Sequence, residues 1–332
     1  MKKLLLLLIL SGFQVTYANP NHNIEQAVFG TTPQQQRSTV SVKNIDGKEL
    51  KRLFKAAQDG NIAAADTIKN AANAGNRNAA LSYGYLAHTG KLPTIGTNYA
   101  KAMQAYKKAA KQKNQQGQDV SFYGNHLAAY NIGIMYLNGQ GVSKNAQEAY
   151  RWFQIALDAY QETSHNGTHF YPAVVHIAKM LETGKGTARN DKEAIKMWKL
   201  AANDNIPDAM LAYAKLAMAG RGTPQNIAIG INYLNRAAEK WNTEAMLLLA
   251  KIYEKGDNLS RQADPKITAK WLLILSSIDR RYRGKANTAL AKLNKQDQIT
   301  VRKAVTTFLS THSNIPEPFD YNKPLYQNPR KP

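Results

Sequence analysis

The chain has 332 residues, of which 43% are hydrophobic, and it contains no cysteine. The absence of cysteine excludes disulfides, thiolate metal sites and cysteine nucleophiles. Lysine and arginine number 44 against 23 aspartates and glutamates, a basic excess that favours acidic partners, although it also serves solubility without any partner.

The first 18 residues have the pattern of a secretory signal peptide. Lys2 and Lys3 precede the apolar run 4–10, and Ala18 supplies a small residue at the expected cleavage position. The apolar run is too short for a membrane span, which needs about 20 residues. We therefore expect cleavage after Ala18 and a mature protein that is periplasmic or secreted, with no integral membrane span. An uncleaved anchor is the alternative.

Residues 19–44 follow the leader without hydrophobic periodicity, and we expect them to be flexible. A helical pattern then starts at Asp46, which stands as an N-cap before Glu49 and the apolar Leu50 and Leu53. From this point we predict one helical domain over residues 45–312.

A single pattern recurs five times along this domain, and each copy is anchored on one glycine. The anchor glycines are Gly90, Gly139, Gly184, Gly220 and Gly256. Eleven positions before each anchor stands an alanine, and six positions before it stands a glycine or an alanine. These spacings mark one face of an α-helix that another helix approaches closely, and the glycine ends the helix in a left-handed conformation. Self-similarity of this length predicts stacked helix pairs.

A second helix is predicted after each anchor. Its N-caps are Asn98, Asn145, Asn190, Asn226 and Asp264. Small or apolar residues lie four, seven, eight and eleven positions after most caps, a spacing that again marks one helical face. The rings at these positions, including Trp152, Trp198 and Trp271, are therefore predicted to be packing residues and not a cofactor site.

The best copy of the pattern is 128–157, which carries Gly133, Gly139, Gly141 and Trp152 in an order that resembles a Sel1-like repeat, a relative of the tetratricopeptide repeat. The resemblance covers about residues 78–276, and three copies depart from it by having alanine, Ala178, Ala214 and Ala250, in place of the helix glycine. It implies an all-α fold, a right-handed α-solenoid of helix-turn-helix repeats whose first helices line a concave face. It implies protein binding and does not imply an enzyme.

Two insertions, 111–125 and 161–172, lengthen the first two repeats, and they are either loops on the binding face or tolerated decoration. After the last repeat, residues 285–293 and 297–311 are predicted to form helices that cap the solenoid. The proline-rich residues 313–332 show no periodicity, so we predict a flexible tail.

The sequence carries no serine-hydrolase, zinc-protease or phosphate-loop motif, and we predict a protein that is not an enzyme and needs no cofactor. One histidine cluster, His165, His169 and His176 with Glu162 nearby, offers ligand types that suit a metal. A glycine and a proline interrupt the helix that would bring these histidines to one face, so we predict no metal centre.

We assign the partner-binding face to Lys179, Lys215, Lys251 and His176. The three lysines stand five positions before the last three anchor glycines, so they should form a ladder along neighbouring first helices. Such a ladder favours a protein partner with an acidic surface, and we do not expect nucleic acid as the partner. The alternative is ordinary surface pairing, because Lys179 and Lys251 each have a glutamate three positions on, whereas Lys215 has a methionine there. The oligomeric state stays open.

Together these features predict an exported, non-enzymatic scaffold or adaptor that binds a protein partner through the concave face of its solenoid. Periplasmic immunity against a toxin delivered by a rival cell is one role of this kind. An envelope or polysaccharide assembly factor and a secreted host-interaction protein are the alternatives. A cell-wall hydrolase is disfavoured because no paired-carboxylate or nucleophile motif is present.

Export predicts that the mature protein starts at Asn19. Intact-mass analysis of the protein from its native cells should give the mass of residues 19–332, in an extracytoplasmic fraction. A mass that still includes Met1 would contradict the signal peptide.

Overall fold

The computed structural model describes residues 45–113, 119–121, 125–163, 169–256 and 262–329. The predicted signal peptide, 1–18, and the segment 19–44 lie outside the described residues, as do parts of both insertions. The described residues contain fourteen α-helices, numbered here in chain order. They are α1 (Gly47–Gln58), α2 (Ile62–Asn73), α3 (Arg77–Thr89), α4 (Tyr99–Ala110), α5 (His126–Asn138), α6 (Ala146–Thr163), α7 (Tyr171–Thr183), α8 (Asp191–Asn203), α9 (Pro207–Ala219), α10 (Ile227–Glu239), α11 (Thr243–Lys255), α12 (Pro265–Ile278), α13 (Arg283–Ala291) and α14 (Lys295–Thr311).

The helices form the right-handed α-solenoid that the sequence predicts. Each helix packs against the next one in the chain, so that the helix pairs stack in order. Within the first insertion, two short strands pair antiparallel, β1 (Gln112–Lys113) with β2 (Asp119–Ser121). The helices α13 and α14 lie where the sequence predicts capping helices.

Each repeat turn is held by a cap residue that serves two helices. In the fourth repeat, the Asn226 side chain accepts a hydrogen bond from the Ile229 N–H at 2.9 Å, and the Asn226 N–H donates to the Ala217 carbonyl at 2.8 Å. All five predicted caps make both bonds. All five anchor glycines have a positive φ, between 67° and 74°. The first four are left-handed as predicted, whereas Gly256, with ψ 170°, is not.

The small residues of the repeat are the points at which two helices approach most closely. A Cβ on Gly133 would lie 2.7 Å from a ring carbon of Phe153, and a Cβ on Gly84 would lie equally close to Tyr106. Ala178 and Ala214 occupy the same column and are fully buried. In the first two repeats, a ring of the second helix therefore rests on a position where the first helix has no side chain.

Overpacking this column should destabilise the protein. Ala178→Leu and Ala214→Leu are each expected to lower the free energy of unfolding by about 1–3 kcal/mol, because neither site has room for three more carbons. Ala63→Leu, at an exposed helical position in α2, is the matched control and should change it by less than about 0.5 kcal/mol. Urea titrations in which all three variants match the unmodified protein would mean that this column is not a helix contact.

Candidate functional site

One face of the first helices carries a column of buried polar side chains, of which Ser82 also donates to the Asn78 carbonyl of its own helix. Ser82, Asn131 and His176 each stand eight positions before an anchor glycine, in α3, α5 and α7. They are three of the five buried polar residues among those described. Buried polar groups need hydrogen-bond partners, so this column indicates that something polar lies over it. We call the surface defined by these three residues the tail groove.

The chain's own C-terminal segment lies in the tail groove. Asn131 holds Leu325 by both of its backbone groups: the Leu325 N–H donates to Oδ1 and the Asn131 Nδ2 donates to the Leu325 carbonyl, each at 2.7 Å. The prediction of a flexible tail over 313–332 is therefore wrong for the described residues up to 329. Proline and the lack of periodicity exclude a helix here, but a segment without regular secondary structure, turning at Asp320–Lys323, docks without one.

A second main-chain contact lies one repeat further along. The Tyr321 carbonyl accepts hydrogen bonds from the Tyr130 hydroxyl at 2.8 Å and from His176 Nε2 at 2.9 Å. A carbonyl can only accept, so His176 carries its proton on Nε2. His176 was assigned to partner binding from the sequence; the structure buries it under the tail and stacks its ring on Phe153 at 4.2 Å.

Side chains of the tail add contacts at both ends of the groove. The Tyr326 ring stacks on Phe54 with centroids 3.8 Å apart, and its hydroxyl lies 3.2 Å from the Ser82 hydroxyl. Asn328 meets His126 Nε2 at 2.6 Å. At the other end, Phe319 packs edge-on against Tyr171 with centroids 5.7 Å apart.

The three predicted lysines are exposed on the first helices, but acidic residues stand among them. Lys215, which the sequence left without a partner, forms an ion pair with Glu244 of the next first helix. Lys179 faces Asp208, and its charge lowers the pKa of that carboxyl, although burial raises it more. The lysines therefore belong to a mixed-charge surface and not to a purely basic ladder.

The expected glutamate partners of the outer lysines behave differently from each other. Glu182 accepts hydrogen bonds from Trp198 Nε1 at 3.1 Å and from Arg221 at 3.3 Å, and so it is engaged away from Lys179. Lys251 and Glu254 both line a cavity of about 440 Å³ between α11, α12 and α13. Lys285 and Lys292 line the same cavity, which makes its rim basic.

The histidine cluster does not come together among the described residues. His165 lies outside them, and the His169 ring instead lies 3.7 Å from the Asp204 carboxylate. No group of three or more histidine, aspartate or glutamate side chains in the described part of the chain is placed to hold a metal ion. None of the helices in that part is long and apolar enough to cross a membrane.

Acid should weaken the fold through His176. Burial lowers the pKa of His176 to about 4, against about 6.5 in the unfolded chain, with the positive charge of Lys179 acting in the same direction. Between these values the unfolded chain binds a proton that the folded one does not, so stability is present above about pH 6.5 and is lost as the pH falls towards 4. Burial also lowers the pKa of His88 and His126, while the raised pKa of Asp208 works in the opposite sense.

The test compares the unmodified protein with His176→Gln, which keeps a donor but does not titrate. Urea titrations at pH 7.5, 5.5 and 4.5 should show that the loss of unfolding free energy on acidification is smaller in the variant, by up to roughly 3 kcal/mol. Equal pH dependence in both proteins would show that His176 does not titrate between these values.

The segments that match a known family coincide closely with the repeats. The family model for the Sel1 repeat matches residues 77–114, 126–160, 173–205, 207–240 and 243–276. Each matched segment contains one helix pair, from α3 and α4 to α11 and α12. The tail lies outside all five segments.

Two solved structures are similar to this chain. A Sel1 repeat protein from Oxalobacter formigenes is 21% identical, with a TM-score of 0.52, over 72% of this chain and 88% of that one. A protective antigen present in uropathogenic Escherichia coli strains, displaying an SLR fold, is 20% identical over 82% of this chain and 67% of that one, with a TM-score of 0.39. The first match shows a shared fold, and no argument rests on the second. Because the five matched segments cover more than half of the chain, this protein belongs to the Sel1 repeat family.

Proposed function

We propose that this protein is an exported, non-catalytic scaffold that binds a protein partner by holding an extended segment in the tail groove. Sel1 repeat proteins generally mediate protein–protein interaction, and the family membership supports this part of the proposal. Export is supported by the signal-peptide pattern of the first 18 residues. A toxin delivered into the periplasm is one partner that such a scaffold would bind, in an immunity role.

The observation that carries the proposal is the grip of Asn131 on both backbone groups of Leu325. A side-chain amide that pairs with one N–H and one carbonyl recognises main chain in an extended form, whatever the side chain of the residue it holds. The Tyr321 carbonyl is a second main-chain group held by the groove, by the Tyr130 hydroxyl and by His176 Nε2 of the next repeat. The groove is thus built to hold a peptide backbone.

Partner charge is a further part of the proposal. Lys251, Lys285 and Lys292 surround the cavity at the C-terminal end of the solenoid, with Glu254 as its one acidic lining residue. Acidic side chains of a partner that continues past the groove would meet this rim favourably. The mixed charges around Lys215 make the centre of the face less selective.

The experiment asks whether the groove binds a separate peptide. A protease recognition sequence is inserted after Asn314 in the full-length protein, within the exposed segment 313–318 that links α14 to the docked tail. After cleavage and removal of the freed tail by gel filtration, a fluorescein-labelled synthetic peptide of residues 316–329 is added, and binding is followed by anisotropy. We expect saturable binding to the cleaved protein.

Two changes should weaken that binding, because each removes hydrogen bonds worth about 1 kcal/mol apiece: roughly 30-fold where two bonds are lost and roughly 5-fold where one is lost. One is Asn131→Ala in the protein, with Asn235→Ala as control, since the Asn235 amide bonds only to the Ile231 carbonyl of its own helix. The other is N-methylation of the Leu325 amide in the peptide, which removes the donor to Asn131. A Kd that is unaffected by both changes would contradict main-chain recognition.

A further inference from the structure

We infer that the C-terminal tail is a built-in competitor for the groove, and that the partner segment able to replace it carries the same pattern of bulky side chains. This pattern is an aromatic residue in the place of Tyr321, followed after three residues by leucine and a second aromatic residue, as in Leu325 and Tyr326. The inference rests on the proposed function. To that function it adds the pattern of the segment that is bound and the reason why the groove is occupied when no partner is present.

The tail is attached to the solenoid as a ligand is, and not as part of the core. No residue after Phe308 is among the buried hydrophobic residues of the described chain. Phe319, Tyr321, Leu325 and Tyr326 are only half-buried, and residues 313–318 before them are exposed. The tail can therefore leave without opening the helix stack, at the cost of its own contacts alone.

The contacts of the tail define what a replacement must supply. Tyr326 lies against Phe54 and Tyr85, with centroids 3.8 and 5.5 Å away, and its hydroxyl reaches Ser82. The Tyr321 ring is edge-on to His176, with centroids 6.3 Å apart. Aromatic pairs in these arrangements stabilise a complex beyond their buried area. The two aromatic positions therefore select which segment binds, and the backbone contacts fix where that segment lies in the groove.

The tail also fits one part of the groove poorly. Between tail residues 316–325 and the N-terminal ends of α9 and α11 there remains a cavity of about 780 Å³, lined by Ile206 and Trp241 among others. The tail has Pro316 and Pro318 at this point, which cannot reach far into it. A partner segment with a bulky apolar side chain here would bury additional surface, which gives it an advantage over the tail.

An advantage is needed because the tail is tethered. A short flexible linker holds its ligand at an effective concentration of the order of millimolar. A tail with an intrinsic Kd of about 10 µM would then lower the apparent affinity of a separate peptide about 100-fold. Weakening the tail should consequently make the full-length protein a better binder, which is the opposite of the effect expected from weakening the groove.

The test uses the uncleaved full-length protein and the labelled 316–329 peptide. Tyr326→Ala in the protein should tighten peptide binding at least 10-fold, because the tail loses its stacking on Phe54 while the groove is unchanged. Gln327→Ala, at an exposed tail position, is the matched control and should bind like the unmodified protein. Adding Asn131→Ala to Tyr326→Ala should abolish the gain.

The peptide tests the pattern itself. With the Tyr326→Ala protein, peptides carrying Tyr321→Ala or Tyr326→Ala should bind at least 10-fold more weakly, Gln327→Ala should bind equally, and Pro318→Leu should bind more tightly. Peptides that all bind alike would overturn the pattern.

The failures of the two ideas are distinguishable. If the Tyr326→Ala protein binds no more tightly than the unmodified protein while the cleaved protein does bind, the tail is not a competitor and the proposed function stands. If neither the cleaved protein nor any variant binds the peptide, the proposed function falls and this inference falls with it.

Discussion

Every repeat depends on one short turn in which a single cap residue serves two helices. Its side chain accepts a hydrogen bond from the N–H three residues on, in the first turn of the helix that starts, and its own N–H donates to a carbonyl of the helix that ends. The positive-φ glycine reverses the chain between the two helices, and in the first two repeats the small column lets a ring of the second helix come close. The regular stack, and hence the alignment of Ser82, Asn131 and His176 on one face, follows from this turn.

The alignment places polar side chains directly beneath the tail. Asn131 is fully buried with the tail over it, and a buried amide left unpaired costs about 1–3 kcal/mol. The tail pairs with these side chains through Leu325 and Tyr321, so the residues that we propose for partner binding are the ones that hold the tail. Under that proposal, a partner segment that replaces the tail would pair with the same polar side chains.

Local features of the candidate site could be predicted, but their roles could not. Lys215 belongs to the predicted ladder, yet Glu244, which lies one repeat away in the chain, decides that it is an ion-pair partner. His176 was assigned to partner binding, and its carbonyl partner comes from the tail at Tyr321. The usable signal for the groove was the polar residue eight positions before each of the first three anchor glycines, because a polar side chain on a packed apolar helix needs a partner from elsewhere.

The sequence by itself determined the solenoid, because its rules are short-range: the glycines, the caps and the small and ring columns each act within one repeat or between neighbours. The path of the tail was decided only by the tertiary structure. Leu325 meets Asn131 across 194 residues of chain, and nothing in the composition of a proline-rich segment distinguishes one that docks from one that does not. That choice was made by the groove, since its buried donors and acceptors exist as a set only after the first three repeats have stacked.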